Sequence, residues 1–132
     1  IVVNDPKLPL QISGACGIGY HTDKYSDAPL KQNCKGASTQ ALHAQEIVTL
    51  VFSATNRLLG SARAQATRDV AAGGEVDLAS YLSPPRASAA LTSIVFIDAV
   101  RTADGTVIRA DRSAVLAEAR KLDPAVDEAA FD

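Results

Sequence analysis

The chain has 132 residues, of which 47% are hydrophobic and 21% charged, with a formal net charge of −2. That length suits one domain, residues 1–132, with enough interior for a real core. The faint negative balance argues against nucleic acid or an anionic membrane as main partner, and no apolar run reaches the ~18 residues of a membrane helix.

The sequence starts at Ile1 and holds no Met. This is the pattern expected of a mature chain whose signal peptide is gone, hence of an exported protein in periplasm, cell surface or medium. Two cysteines, Cys16 and Cys34, fit that setting. A lone pair in an exported protein is expected to form one disulfide, and free thiols are the alternative in a reducing compartment. A bridge spanning 18 residues is worth about 3 kcal/mol through chain entropy.

In chain order, Ile1-Val2-Val3 is β-branched and reads as an edge strand. Pro6 and Pro9 confine any strand near them to an edge, and Leu10-Gln11-Ile12 alternates like a short strand. Ser13 to Ser38 holds four glycines, Pro29, both cysteines and two tyrosines, and reads as an irregular, disulfide-closed loop region. Residues 39–46 leave helix and extended chain both open. EIVTLVFSAT (46–55) reads as a strand with Val48, Leu50, Phe52 and Ala54 on one face and Thr49, Ser53 and Thr55 on the other. Asn56-Arg57 turns the chain. In Leu58–Val70, Ala62, Ala64 and Ala66 alternate with Arg63, Gln65 and Thr67. Strand is favoured there over helix, because the polar residues keep to one face. Ala72-Gly73-Gly74 turns again, Glu75–Ala79 is a short strand, and Ser83-Pro84-Pro85-Arg86 is a loop.

The segment SIVFIDAVRTADGTVIRA (93–110) reads as a long hairpin around Asp104-Gly105. A three-residue loop pairs Thr102 with Thr106 and Val100 with Ile108, which segregates polarity and asks for a left-handed Gly105. One misfit remains. The Val100 face, extended back, puts Asp98 beside Phe96, so a β-bulge near Asp98-Ala99 or an anchored carboxylate is expected. Asp111 can cap a helix to about Leu122, with Val115, Leu116, Ala119 and Leu122 buried and Pro124 as its stop. Residues 124–132 read as an acidic tail with Phe131 exposed. The sum is a mainly β chain. It is expected to be a small antiparallel immunoglobulin-like β-sandwich, its core in residues 46–110, preceded by edge strands and the loop region (1–45) and followed by one helix (111–123).

Three pieces carry a family likeness: IVTLVFSATN (47–56), VAAGGEVDLASYL (70–82) and LTSIVFIDAVRTADGTV (91–107). In this order of strand, Gly turn, strand and Asp-Gly hairpin, the chain resembles bacterial exported sandwich domains of the FxLYD kind over residues 47–110. The resemblance implies a sandwich and a bacterial exported setting; it carries over no functional residue.

Chemistry is sparse. Cys16, His21, Cys34 and His43 are metal-ligand types, but their spacings do not match a zinc finger. With the cysteines oxidised, only His21 and His43 remain for a metal. Gly14-x-x-Gly17-x-Gly19 does not join a strand to an apolar helix as a phosphate loop would. Asp23 and Asp27 lack calcium-loop spacing. Tyr20, His21 and Tyr25 are the candidates for recognition. No nucleophile or acid-pair motif stands out, and no cofactor is expected. The expected function is a non-catalytic binding or structural module, meeting partner proteins or copies of itself through strand edges or through Ile1 to Leu10. The alternative is a small periplasmic metal- or ligand-binding protein using the Cys16–Cys34 loop with His21 and His43.

Overall fold

The computed structural model describes residues 1–14, 16–20, 30–82 and 90–132. Among the described residues eight strands form two antiparallel sheets. The first holds β1 (Leu10–Ile12), β2 (Gly17–Tyr20), β3 (Leu30–Ser38) and β6 (Glu75–Leu82). In it β3 is central, with β1 and β2 sharing one side and β6 on the other. The second sheet runs β5 (Leu58–Val70), β4 (Leu42–Ser53), β7 (Ala90–Thr102), β8 (Val107–Arg109). The helix α1 (Ser113–Leu122) and a 3-10 helix (Glu128–Phe131) close the chain. The architecture is mainly β and sandwich-like, and among the described residues no helix is long and apolar enough to cross a membrane.

The interior lies in two layers. Between the sheets, Leu10, Ile12, Cys34 and Leu78 meet Leu42, Ile47, Val95, Ile97 and Val100. On the far side of the second sheet, Val48, Leu50, Phe52, Ile94 and Phe96 pack under Val115, Ala119, Val126 and Phe131. The second sheet is thus buried on both faces, which is why β4 and β7 carry near-continuous apolar runs. Within β4 the two faces expected of this stretch separate. Val48, Leu50 and Phe52 meet the helix layer, and Thr49 points between the sheets, where its hydroxyl accepts Gln32 Nε2 at 2.8 Å.

Within residues 13–38 the described stretches 17–20 and 30–38 are regular strand rather than irregular loop. They supply β2 and the central strand β3, so the first sheet is built largely from residues ahead of 46, and the sandwich is not confined to 46–110. In β3 Gln32, Cys34, Gly36 and Ser38 are buried while Asn33, Lys35 and Ala37 are exposed. The period of two is intact, but small and polar residues occupy the inward positions. At Gly36 a Cβ would stand 3.1 Å from Leu10 Cδ1 and 3.2 Å from Gln11 O and Leu78 Cδ1, so a larger residue would push on both neighbouring strands. The segment 39–46 is extended from Leu42, and β6 runs three residues past Ala79.

The hairpin forms in the expected register: Val100 faces Ile108, Thr102 N–H donates to Thr106 O, and Gly105 has φ +92°. Both expectations for Asp98 hold together. Glu46 faces Ala99 and Ile47 faces Ile97, so Asp98 is the extra residue of a bulge. That shift leaves Phe96 in the helix layer and returns Val100 to the space between the sheets. Leu58–Val70 is strand throughout, with Ala62, Ala64 and Ala66 half-buried and their neighbours exposed. At α1 the cap position belongs to Arg112, while Asp111 Oδ1 accepts the N–H of Ser113 at 3.0 Å from one residue further out. The tail is corrected as well: Phe131 is 1% exposed and meets Phe96 edge to face at 5.6 Å. Residues 1–3 do lie along an edge, but of their own sheet. Val2 bridges Val95 in parallel, and Leu8 and Leu10 are buried, so Ile1 to Leu10 is engaged within the molecule.

Candidate functional site: the β5 side of the sandwich

Of the residues singled out in the sequence, Cys16 and Cys34 form the disulfide, with Cα atoms 4.4 Å apart. Because Gly17 faces Asn33, Cys16 falls opposite Cys34, and the bridge clamps neighbouring strands of the first sheet. Oxidised sulfurs leave the proposed tetrahedral set without thiolates. His43 is exposed, its Nδ1 2.7 Å from Asp69 Oδ1. Among the described residues no three His, Cys, Asp or Glu side chains converge on a metal position. Gly17 and Gly19 belong to β2 rather than to a phosphate loop. Tyr20 ends β2 opposite Leu30. His21, Asp23, Tyr25, Asp27 and the 83–86 loop lie outside the described residues.

The densest electrostatic cluster sits on the helix-covered face, where Asp98 is 2% exposed. Arg112 grips it with both arms of its fork, Nε to Oδ1 at 2.8 Å and Nη2 to Oδ2 at 2.7 Å. Arg63 of β5 adds Nη1 to Oδ2 at 2.8 Å, and also donates to Glu46 and to the carbonyl of Phe131. Gln65 donates to the other oxygen of Glu46. Burial pushes the Asp98 carboxyl up, but the hydrogen bonds and charges of Arg112 and Arg63 outweigh it and hold it below the usual carboxylate range. The same contact raises Arg112. Asp98, Arg63 and Arg112 are mutually satisfied and covered by Phe131, whose ring lies 5.6 Å from the Arg112 guanidinium carbon. This arrangement fixes β5 to β7 and to the C-terminal segment. At its start β5 is tied by Asp123, which accepts the Leu58 N–H at 3.0 Å. That bond and one from the Ala125 N–H lower the Asp123 carboxyl.

What these anchors hold in place is an edge. β5 has 13 residues and pairs only with β4 among the described residues. In an antiparallel pair, alternate backbone groups point away from the partner strand. Beyond Leu58, no described residue takes the outward N–H groups. The strand carries no proline, and between Leu58 and Val70 its half-buried positions include Ala62, Ala64 and Ala66. Such a long, open edge is a ready template for another strand.

Beside this edge, a cleft of about 750 Å³ runs along β5 and β6. β4 lines it with Gln45 and Ile47, β5 with Ala64, Ala66 and Arg68, β6 with Asp77 and Leu78, and β3 with Lys31 and Lys35. Gln45 is 3% exposed. Its Nε2 donates to Arg68 O at 2.9 Å, which fixes the amide's orientation, and its Oε1 is buried with no donor among the described residues. Sequence reading missed Gln45, Arg63, Arg68, Arg112 and the lysines. Only Asp98 announced itself, as a carboxylate out of phase in an apolar strand.

No family model, no curated protein and no solved structure matches this chain.

Proposed function

We propose that the chain is an exported, non-catalytic binding or structural module that works through protein–protein contacts, receiving an extended segment of a partner along β5 as a component of a cell-surface or multi-subunit assembly. One observation carries the reading: a 13-residue edge strand, unpaired on its outer side among the described residues and anchored through Leu58 and Arg63 in its first half. Strand addition draws affinity from main-chain hydrogen bonds and specificity from pockets beside the edge, and here a cleft flanks that edge. The disulfide and the resemblance to exported FxLYD-type sandwiches support the extracytoplasmic setting.

The test is to pan a phage-displayed library of random peptides, each about a dozen residues, against the protein and to map enriched binders by amide hydrogen exchange. The expected result is enrichment of peptides with alternating patterns that protect amides between Leu58 and Val70. No enrichment, or binders that protect other surfaces and leave β5 unchanged, would overturn the proposal.

A further inference from the structure

We infer that the Cys16–Cys34 bridge is a redox clasp on β2, so that a dithiol reductant unfastens this one strand and bares the edge of β3 beside it. The inference is independent of the β5 edge. β2 brings almost nothing of its own to the interior. Gly17, Ile18 and Gly19 are exposed. Ile18 pairs with the fully buried Gln32, and directly opposite residues share a face of the sheet, yet Ile18 is 49% exposed. It overhangs an open cleft of about 470 Å³, lined also by Ile1, Val2, Ser93 and Val95, instead of packing on the second sheet. Within residues 16–19 only Cys16 packs against the core. Four residue pairs with β3 and the bridge hold the strand in register. A short glycine-containing edge with no buried face opens at low free-energy cost once its covalent tie is cut.

β3 is held quite differently. It buries Gln32, Cys34, Gly36 and Ser38, and it pairs with β6 from Leu30 to Ala37 and with β1 from Gly36 to Ser38. Loss of β2 therefore leaves β3 in place and uncovers its backbone groups along Leu30–Asn33. Such a run is a template for another strand.

The chemistry is thiol–disulfide exchange, and access decides which sulfur is attacked. Cys16 is half-buried and lines the open cleft, whereas Cys34 is 3% exposed. A thiolate of the reductant attacks Cys16 Sγ, forming a mixed disulfide and releasing Cys34 as a thiolate that takes a proton. The second thiolate then attacks the reductant's own sulfur in that mixed disulfide and releases Cys16, which takes a proton. The bridge gains two electrons and two protons, and the dithiol leaves as its disulfide.

Residue-resolved hydrogen exchange on the full chain, with and without dithiothreitol and without denaturant, tests this. Intact mass confirms that the bridge has opened. The protected amides of Ile18–Tyr20, and those of Leu30–Asn33 turned towards β2, are expected to exchange about a hundredfold faster when the 18-residue tether is cut. Amides of β4, β6 and β7 should keep their rates. The variant Cys16→Ser should show the same pattern without reductant. Unchanged protection of β2 in the reduced protein or the variant would overturn the inference. So would protection lost across β4 and β7 together with β2, which would make the bridge a staple of the whole fold. A bridge that resists dithiothreitol until the protein unfolds would overturn it as well.

Discussion

Replacing Asp98 by alanine probes the cluster that braces β5. Asp98 receives three charge-assisted hydrogen bonds, two from Arg112 and one from Arg63. At about 1.5–3 kcal/mol each, a simple sum gives about 4.5–9 kcal/mol. That sum is too large. The Arg63 and Arg112 side chains are 30% and 23% exposed, so water screens part of the loss. Arg63 also keeps Glu46 and the Phe131 carbonyl, and Arg112 keeps Asp132 at 3.4 Å. The expected cost is therefore about 3–5 kcal/mol, the range for breaking a buried pair from one side. For a domain of this size that lowers Tm by about 10–20 °C. Urea titration followed by circular dichroism gives the number. A double-mutant cycle then apportions it, and the coupling of residue 98 to Arg112 should exceed that to Arg63, in line with two bonds against one. A cost for Asp98→Ala below about 1 kcal/mol, the range of exposed pairs, would refute the claim that this cluster is a desolvated anchor.

The remaining predictions concern acid, the tail and the sulfurs. Asp98 has its native pKa lowered from the ordinary value. Its stabilisation is thus complete above the unfolded pKa of about 4 and is lost as pH falls through the lower native value. Asp104, Asp111 and Asp123 shift in the same direction and steepen the loss. Urea midpoints should fall in acid, less steeply in Asp98→Ala than in the parent; parallel profiles would contradict the shift. Phe131→Ala should cost about 3–5 kcal/mol, as for a buried aromatic, whereas a free acidic tail predicts no effect on the melting curve. Reduction of Cys16–Cys34 should lower stability by about 3 kcal/mol, and an unchanged urea midpoint would remove the bridge from the account.

Where side chain and environment agree, the fold was legible. The 93–110 hairpin could be placed to the residue, because Asp104-Gly105 and polarity segregation admit one register. β5 was legible because its polar residues keep strictly to one face. β3 was hidden for the opposite reason. Its inward residues, Gln32, Gly36 and Ser38, are ones that a buried strand rarely uses, and Gln32 is tolerated because Thr49 and Ser80 lie within hydrogen-bond distance of its amide. The two faces of β4 were legible, but not which of them meets the helix layer and which the opposite sheet, because both are buried. Phe131 looked exposed because a tail has no period to read; only the ring of Phe96 and the guanidinium of Arg112 give it a place. At the candidate site, the misfit of Asp98 was visible, but its partners lie 35 and 14 residues away and come together only through the fold. The cleft was invisible for the same reason, its lining being drawn from four strands.

The claim that matters most is that β5 offers an unpaired edge. Residue-resolved amide hydrogen exchange on the isolated protein reads it directly. The account predicts an alternating pattern between Leu59 and Val70, with amides turned to β4 protected and the intervening ones exchanging at nearly solvent rates. Uniform protection along that stretch in the monomer would show the edge already covered and would contradict the account.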